Sequence, residues 1–424
     1  MFAARSQEDT VWDVAVIGGG AAGMMAAATA AKHGARVILL EKNKTLGKKL
    51  LITGGGRCNV TNAEFDNKKL LAKFKHGGKF LASPFTQWSS RDTIEFFNSR
   101  NVPTKEENEK RVFPRSNSAR SVWDGLVAYI KETNVTVMSN AKVLKLENTG
   151  ENITSAALYG GKVIHAKSFI LATGGTSHPE TGSTGDGYRF LRELGHRVSE
   201  TGAALVPIAL KYPERGARAA GTGLIAKVSV FQNGEKQLER TGKILFTHVG
   251  LSGPCILNMS RDIGELLAYG SVFLELDLAP DLGYEKVNES LQNIFKIDHN
   301  KKIRNALKTL VPAALVPLLL EDVEIDSETP CNSVTRDERV RLMKALKHLR
   351  FEVDHLLGMD KAVITSGGVE LSEVDFKTMR SIKYNNLFLV GDILNIDRPS
   401  GGYSLQLCWT TGFVAGNAAA SFGI

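Results

Sequence analysis

Cysteines are few in this sequence, and they follow none of the patterns that cysteine-dependent sites use. The 424 residues include four of them, Cys58, Cys255, Cys331 and Cys408, with no CxxC pair. No histidines cluster near them at the spacing of zinc ligands. The pattern argues against a disulfide framework, predicts no metal site, and is typical of thiols kept reduced in the cytosol.

The sequence also lacks a long apolar run and a secretion signal. No stretch approaches the roughly 18 consecutive apolar residues that would indicate a membrane-spanning helix. The first residues, MFAARSQEDTVWD, carry acidic side chains where a signal peptide would have its apolar segment. We therefore expect a cytoplasmic protein with no membrane partner.

The excess of positive charge is moderate. The chain has 53 Lys and Arg against 45 Asp and Glu, a formal net charge of +8. A basic balance suits nucleic acid or an anionic substrate, but no dense Lys/Arg block stands out. A solvated surface with a pyrophosphate site accounts for the charge, so nucleic acid is the less favoured partner. The length predicts two or three domains of an ordinary globular protein.

A glycine-rich turn near the start carries the first functional signal. Residues 11–17 predict a buried strand, residues 18–23 read GGGAAG, and an Ala-rich helical pattern follows. In such a GxGxxG turn, Gly18 permits the tight turn, Gly20 lets a pyrophosphate approach the backbone, and Gly23 lets the helix pack against the strand. The helix N-terminus then offers N–H groups to the phosphates. This context predicts dinucleotide binding.

An acidic residue stands at the distance that this motif requires. A second predicted strand, residues 35–40, ends in Glu41, 18 residues after Gly23. At that place a carboxylate accepts hydrogen bonds from a ribose 2′-OH and repels a 2′-phosphate. The spacing does not separate FAD from NAD.

Glycine motifs along the rest of the chain carry a family resemblance. They are GKKLLITGGGRCNVTN at residues 47–62, RVFP at 111–114, ATGG at 172–175, FTHVGLSGP at 246–254, TSGGV at 365–369, GD at 391–392 and PSGGY at 399–403. Together they resemble the BaiN-type flavoproteins, bacterial proteins also called aminoacetone-oxidase-like or NAD(P)/FAD-dependent oxidoreductases. The resemblance covers nearly the whole chain. It implies a glutathione-reductase-like FAD domain interrupted by an insert.

The C-terminal segment carries motifs that favour FAD as the bound dinucleotide. Residues 386–390 predict a buried strand that ends in Gly391 and Asp392, whose carboxylate would bond a ribityl or ribose hydroxyl; a strand-end cap is the alternative. Gly401 and Gly402 then open a helical pattern over residues 403–420. Its N-terminus would stabilise negative charge on the flavin. A fold that returns its C-terminus to the first strand explains this placement.

The loop with Arg57, Cys58 and Asn59 has two interpretations. In the resembling superfamily it runs beside the flavin ring, and in disulfide reductases it carries two redox cysteines. Here Cys58 is alone, so dithiol exchange is not available and a structural role is favoured. Arg57 and Asn59 would hold flavin or phosphate oxygens, with loop packing as the alternative.

The fold class that follows is α/β, with a Rossmann-like FAD-binding domain of the glutathione-reductase type. An inserted β-barrel-like module and a small helical module interrupt it. We predict an FAD domain over residues 1–193 and 359–424, a β-rich insert over 194–280 and a helical module over 281–358. Residues 64–117 read as a polar, helical surface excursion with a solvated basic run.

The predicted cofactor site draws on all of these motifs. Val143 enters it because the family's backbone touches adenine there; an ordinary strand residue is the alternative. No catalytic residue is assigned, and His248 and Cys58 are the candidates; for His248 a satisfied core position is favoured. The predicted cofactor residues are Gly18, Gly20, Ala21, Ala22, Gly23, Glu41, Lys42, Lys49, Gly56, Arg57, Cys58, Asn59, Val143, Ala172, Thr173, Gly174, Gly175, Gly391, Asp392, Gly401, Gly402 and Tyr403.

The function that we predict is an FAD-dependent oxidoreductase with a small-molecule substrate. The resemblance implies either reduction of a conjugated C=C bond or oxidation of an amine. No second strand–GxGxxG–helix unit appears, so NAD(P)H would dock only transiently as the electron donor. The alternatives are a flavin-containing RNA-associated or RNA-modifying protein, prompted by the charge of +8, and a flavin-binding interaction protein without turnover.

Overall fold

A computed structural model describes residues 11–423 of the chain. Most of the N-terminal segment used to exclude a signal peptide lies outside these residues. The described chain forms two compact units, one from residues 11–203 with 363–423 and one from residues 204–362. The sequence-based boundaries at 194, 281 and 359 remain predictions. Within residues 11–423, no helix combines the length and apolarity needed to cross a membrane.

The strands and helices of the first unit begin and end as follows. The strands are β1 Trp12–Ile17, β2 Val37–Leu40, β3 Thr61–Asn62, β4 Thr104–Glu107, β5 Arg111–Pro114, β6 Thr136–Met138, β7 Val143–Thr149, β8 Asn152–Leu158, β9 Val163–Leu171, β10 Gly202–Ala204, β17 Ile364–Ser366 and β18 Leu387–Leu389. The helices are α1 Ala21–Lys32, α2 Lys48–Ile52, α3 Asn67–Leu71, α4 Gly78–Gln87, α5 Ser90–Ser99, α6 Ala119–Glu132, α7 Asp186–Glu193 and α14 Tyr403–Gly423.

A seven-stranded sheet organises this unit and confirms the Rossmann-type prediction. Its strand order is β6-β2-β1-β9-β8-β7, and β18 also pairs with β9. β1 is parallel to β2 and β9, and β18 is parallel to β9. Because parallel strands place their carboxyl ends at one edge, the turns after β1, β9 and β18 meet there. The buried Val, Ile and Leu of β1 and β2 suit a sheet covered on both faces.

The two ends of the chain pack together through glycines in α14. A Cβ on Gly412 would lie 2.5 Å from the Ala22 carbonyl oxygen of α1, and one on Gly416 would lie 2.6 Å from that of Ala26. Only glycine permits such close approach of two helix backbones. The C-terminal helix is therefore seated against the helix that follows the glycine turn.

The prediction for residues 64–117 is wrong in two respects. Residues 104–114 form β4 and β5, which join β3 in a three-stranded antiparallel sheet. The segment is also not a surface excursion, because Leu70, Phe74 and Phe85 belong to the main hydrophobic core. The apolar residues that enter the core are widely spaced among polar ones, so the sequence analysis did not recognise them as core positions. The helix α6, which follows this segment, is capped by Ser118, whose hydroxyl accepts from the Arg120 N–H.

The second unit contains a closed six-stranded barrel. Its strands are β11 Ile208–Leu210, β12 Gly223–Gln232, β13 Glu235–Phe246, β14 Gly250–Ser252, β15 Val272–Asp277 and β16 Leu349–Leu356, in the order β11-β14-β13-β12-β15-β16. The helices are α8 Pro213–Ala217, α9 Pro254–Leu267, α10 Tyr284–Ile297, α11 Ile303–Ala306, α12 Val316–Asp322 and α13 Arg336–Lys347.

This barrel confirms the predicted β-barrel-like insert but includes two strands that the sequence analysis missed, β14 and β16. β16 follows the helices and pairs with both β15 and β11. One hydrophobic core includes Val228 of the barrel together with Leu291 and Leu319 of the helices. The helix α9 begins at Pro254, and proline is favoured at the first position of a helix.

Candidate cofactor site

A cleft with an empty volume of about 1210 Å³ contains the glycine turn. This volume includes space open to solvent. Its walls come from both ends of the sequence, and all of them lie in the first unit. The predicted residues that line it are Gly18, Gly20, Ala21, Ala22, Glu41, Lys42, Lys49, Val143, Ala172, Thr173, Gly174, Gly391 and Asp392.

The three motif glycines of the turn, Gly18, Gly20 and Gly23, differ in their surroundings. Gly18 has φ +104°, and a Cβ there would lie 2.5 Å from the Ala172 carbonyl oxygen. A Cβ on Gly23 would lie 1.9 Å from the Gly18 carbonyl oxygen. Around Gly20, in contrast, a Cβ would meet no described atom within 4 Å. Gly18 and Gly23 are therefore required for close packing of the backbone within the protein, whereas Gly20 leaves open space at the N-terminus of α1.

Glu41 is a buried carboxylate at the end of β2. Its Oε2 accepts a hydrogen bond from the Gly19 N–H at 2.7 Å, and its Oε1 accepts from the backbone and side-chain N–H groups of Asn43, each at 2.7 Å. These bonds fix the carboxylate at the cleft wall. Asn43, which the sequence analysis did not include, also lines the cleft. The role of Glu41 toward a ribose remains a prediction.

Two lysines of the predicted site hold carboxylates at the wall. The Lys42 Nζ lies 2.7 Å from the Asp186 carboxylate, and the Lys49 Nζ lies 3.4 Å from the Asp392 carboxylate. Burial raises the pKa of Asp186, but the hydrogen bonds from Lys42 and Thr184, together with the charges of Lys42 and Lys142, outweigh it and leave that pKa below its ordinary value. Both lysines thus have partners within the protein and remain positioned along the cleft.

The start of α14 contributes side chains that the sequence analysis missed. Ser404, Leu405 and Cys408 line the cleft. The predicted Gly402 instead packs against β3, because a Cβ there would lie 2.3 Å from the Thr61 carbonyl. Gly23, Gly56, Gly175, Gly401, Gly402 and Tyr403 are not among the residues that line the cleft.

The loop of residues 57–59 is also outside the cleft wall. Arg57 bonds Glu107 at 2.5 Å and Asn117 at 2.7 Å, and its guanidinium stacks over Phe113. In the amide orientation that satisfies its neighbours, Asn59 accepts from the Gly402 N–H at 2.9 Å. These contacts are those of loop packing. A contact of Arg57, Cys58 or Asn59 with a cofactor stays a prediction.

His248 differs from the core position favoured by the sequence analysis. It is exposed, in the turn between β13 and β14 of the second unit, where the Gly250 N–H donates to the Thr247 hydroxyl. The short turn holds the imidazole outward, so the expectation of a buried histidine was wrong.

We expect the Cys58 thiol to be unreactive in the native protein. Burial raises its pKa to about 12, so roughly one thiol in 10,000 is ionised at pH 8. Differential iodoacetamide labelling followed by mass spectrometry should modify Cys58 only after denaturation, and Cys58→Ala should leave anaerobic flavin reduction intact. Rapid native labelling, or loss of flavin reduction in that variant, would restore the redox interpretation.

Three features of the residues that line the cleft suit FAD. Gly20 leaves the space in which a pyrophosphate would approach the N-terminus of α1. Thr173 lines the cleft, and its Oγ1 is buried without a hydrogen-bond partner among the described residues. A buried hydroxyl of this kind is normally satisfied, so this residue of the cleft wall has hydrogen-bonding capacity that the described protein atoms do not use. Glu41 and Asp392 add carboxylates for sugar hydroxyls.

Fold and cleft together define an FAD-binding oxidoreductase of the Rossmann type with a barrel-containing insert. The family model described as the HI0933-like protein Rossmann domain matches residues 12–418. The chain belongs to this HI0933-like family and is an FAD-dependent oxidoreductase. The resemblance to the BaiN-type flavoproteins is thereby confirmed.

Curated relatives match over nearly the full length. The 3-dehydro-bile acid delta(4,6)-reductase of Clostridium scindens is 32% identical over 412 residues, covering 96% of this chain and 98% of that protein. The ribosomal RNA dihydrouridine synthase of Escherichia coli is 30% identical over 404 residues, covering 94% and 96%.

Solved structures share the fold at low sequence identity. The open conformation of a flavocytochrome c3 fumarate reductase is 17% identical, covers 99% of this chain and 79% of that one, and has a TM-score of 0.57. A 3-ketosteroid-delta4-(5alpha)-dehydrogenase from Rhodococcus jostii is 15% identical, covers 98% of both chains, and has a TM-score of 0.55.

Proposed function

We propose that this protein reduces a C=C bond conjugated to a carbonyl group, with electrons from NAD(P)H. The observation that carries the proposal is a reaction shared by two relatives with different substrates. One is named for the Δ4,6 double bonds of a 3-oxo bile acid, and the other for adding hydrogen to uridine. Both names describe saturation of a C=C bond beside a carbonyl. That favours C=C reduction over amine oxidation.

The residues of the cleft have separate tasks in this proposal. The N-terminus of α1 would hold the pyrophosphate, Glu41 the adenosine ribose, and Asp392 a further sugar hydroxyl. Bound FAD supplies two-electron chemistry that no side chain has. In the overall reaction, the C=C bond gains a hydride equivalent and a proton while one NAD(P)H becomes NAD(P)⁺. The substrate is a small organic molecule.

The test is an anaerobic half-reaction followed by a substrate panel. We expect the purified protein to carry FAD and to lose its oxidised-flavin absorbance on mixing with NADH or NADPH. A 3-oxo-Δ4 or Δ4,6 steroid acid should restore that absorbance and gain two hydrogens by mass spectrometry, whereas aminoacetone should not reduce the flavin. Direct reduction by an amine, with no reoxidation by any enone, would contradict the proposal.

A second candidate is reduction of uridine in ribosomal RNA. It is favoured by the relatives named ribosomal RNA dihydrouridine synthase, 30% and 27% identical, and by the net charge of +8. Phosphate contacts predict RNA binding that weakens steeply with salt. If this candidate is correct, incubation of unmodified ribosomal RNA with protein and NADPH will produce dihydrouridine by nucleoside mass spectrometry. No binding at low salt and no product would exclude it.

A further inference from the structure

A buried arginine lies directly behind the cleft wall. The Arg398 side chain is 1% exposed, and Arg398 is not among the residues that line the cleft. Its Nη1 donates to the Ile396 carbonyl at 2.8 Å, its Nε to the Ser404 hydroxyl at 3.1 Å, and its Nη2 to Asp392 Oδ1. An arginine is always charged, and a buried charge is costly unless it is paired. Its partners include two wall residues, Asp392 and Ser404.

Asp392 is held between two cations. Arg398 bonds Oδ1, and the Lys49 Nζ lies 3.4 Å from Oδ2. Burial raises the pKa of Asp392, but the charges and hydrogen bonds of Arg398 and Lys49 together outweigh it and leave that pKa below its ordinary value of 3.8. The carboxylate is therefore ionised over the whole range in which a cytoplasmic enzyme works.

The other titratable neighbours of Asp392 are Tyr188 and Cys408, and neither supplies a positive charge to its carboxylate. The Tyr188 hydroxyl donates to the Asp392 backbone carbonyl at 2.8 Å, and burial raises its pKa. Burial also raises the pKa of Cys408 to about 12, so this thiol is neutral. Arg398 and Lys49 are thus the groups that keep Asp392 charged, and Arg398 alone bonds both Asp392 and Ser404.

We propose that Arg398 is a positioning residue for FAD, which keeps the Asp392 carboxylate ionised and aimed along the cleft so that it accepts a sugar hydroxyl of the cofactor. A hydrogen bond to an ionised acceptor is roughly twice as strong as a neutral one. Removal of the guanidinium leaves the carboxyl buried with a single, more distant cation. Its pKa then rises, and it takes up a proton at mildly acidic pH. This inference rests on FAD binding in the proposed function.

The experiment compares FAD affinity in apoprotein variants across pH. For Arg398→Gln we expect the Kd for FAD to rise at least about tenfold at pH 7.5, and to rise further as the pH falls to 5.5. The unchanged protein should bind FAD with a flat pH profile over this range. Arg398→Lys should recover most of the flat profile, since an ammonium can still pair with Asp392. Arg120→Gln, which removes an exposed arginine of α6, is the matched control.

Further variants separate positioning from a general loss of structure. Arg398→Gln combined with Asp392→Asn should bind FAD weakly with no pH dependence, because the titrating group is gone. This variant and Arg398→Lys carry the test if Arg398→Gln does not fold. Equal weakening at every pH, or tighter binding at low pH, would overturn the role of Arg398. If the unchanged protein binds no FAD, the proposed function fails instead.

Discussion

A Gly20→Ala variant will fold normally and bind FAD at least about 100-fold more weakly. Gly20 precedes α1 with φ −77° and ψ −171°, a conformation open to any residue. A Cβ there meets no described atom within 4 Å in the apoprotein. The same methyl group occupies the space in which a pyrophosphate would contact the N–H groups at the start of α1. The loss is therefore confined to the cofactor.

The matched control is Gly23→Ala, in the same turn. Its Cβ would lie 1.9 Å from the Gly18 carbonyl oxygen, so the backbone must shift even without cofactor. We expect that variant to lose roughly 1–3 kcal/mol of apoprotein stability. Thermal unfolding followed by circular dichroism measures stability, and quenching of FAD fluorescence measures affinity. Equal stability losses in the two variants, or unchanged FAD affinity in Gly20→Ala, would contradict this division of roles.

Positions at the cleft could be predicted from the sequence wherever a single short segment contains both the buried strand and the residue that follows it. The turn at residues 18–23, Glu41 and Asp392 each follow a buried strand, and parallel strands bring such positions to one edge of a sheet. That is why Gly20, Glu41 and Asp392, although far apart in the chain, line one cleft, while their contacts with a cofactor remain predictions. For α14, the sequence analysis predicted only that the C-terminal segment returns to the first strand. It did not predict the packing of α14 on α1. Gly412 and Gly416, which permit it, give no local signal.

Features that depend on long-range pairing were missed. β16 completes the barrel from beyond the helices, because its partners β11 and β15 are distant in sequence. β4 and β5 have only four residues each, β4 is entirely polar and β5 ends in three consecutive apolar residues, so neither strand shows an alternating pattern. Arg398 lies in a stretch whose sequence is typical of an exposed loop. Only the structure shows that its charge is buried against Asp392. The cleft's Asn43, Ser404 and Cys408 belong to no motif.

Lys347→Met should destabilise the second unit by about 3–5 kcal/mol. Lys347 ends α13, and Asp277 ends β15. The Lys347 Nζ lies 2.6 Å from the Asp277 carboxylate, and both side chains are at most 9% exposed. The ammonium also donates to the carbonyls of Ala279 at 3.1 Å and Leu282 at 2.6 Å. Methionine fills a similar volume, but it leaves a buried carboxylate without its cation and the Leu282 carbonyl without its donor, whereas the Ala279 carbonyl still accepts from the Leu282 N–H.

The exposed Lys344→Met in the same helix is the control for lysine removal, and it should change stability by less than about 0.5 kcal/mol. Because the four tryptophans, Trp12, Trp88, Trp123 and Trp409, lie outside residues 204–362, urea unfolding should be followed by far-ultraviolet circular dichroism. Lys347→Met combined with Asp277→Leu should recover part of the loss, since no charge then remains buried without a partner. A double variant less stable than Lys347→Met would instead show that the bonds to the two carbonyls, and not the ion pair, stabilise this corner of the barrel.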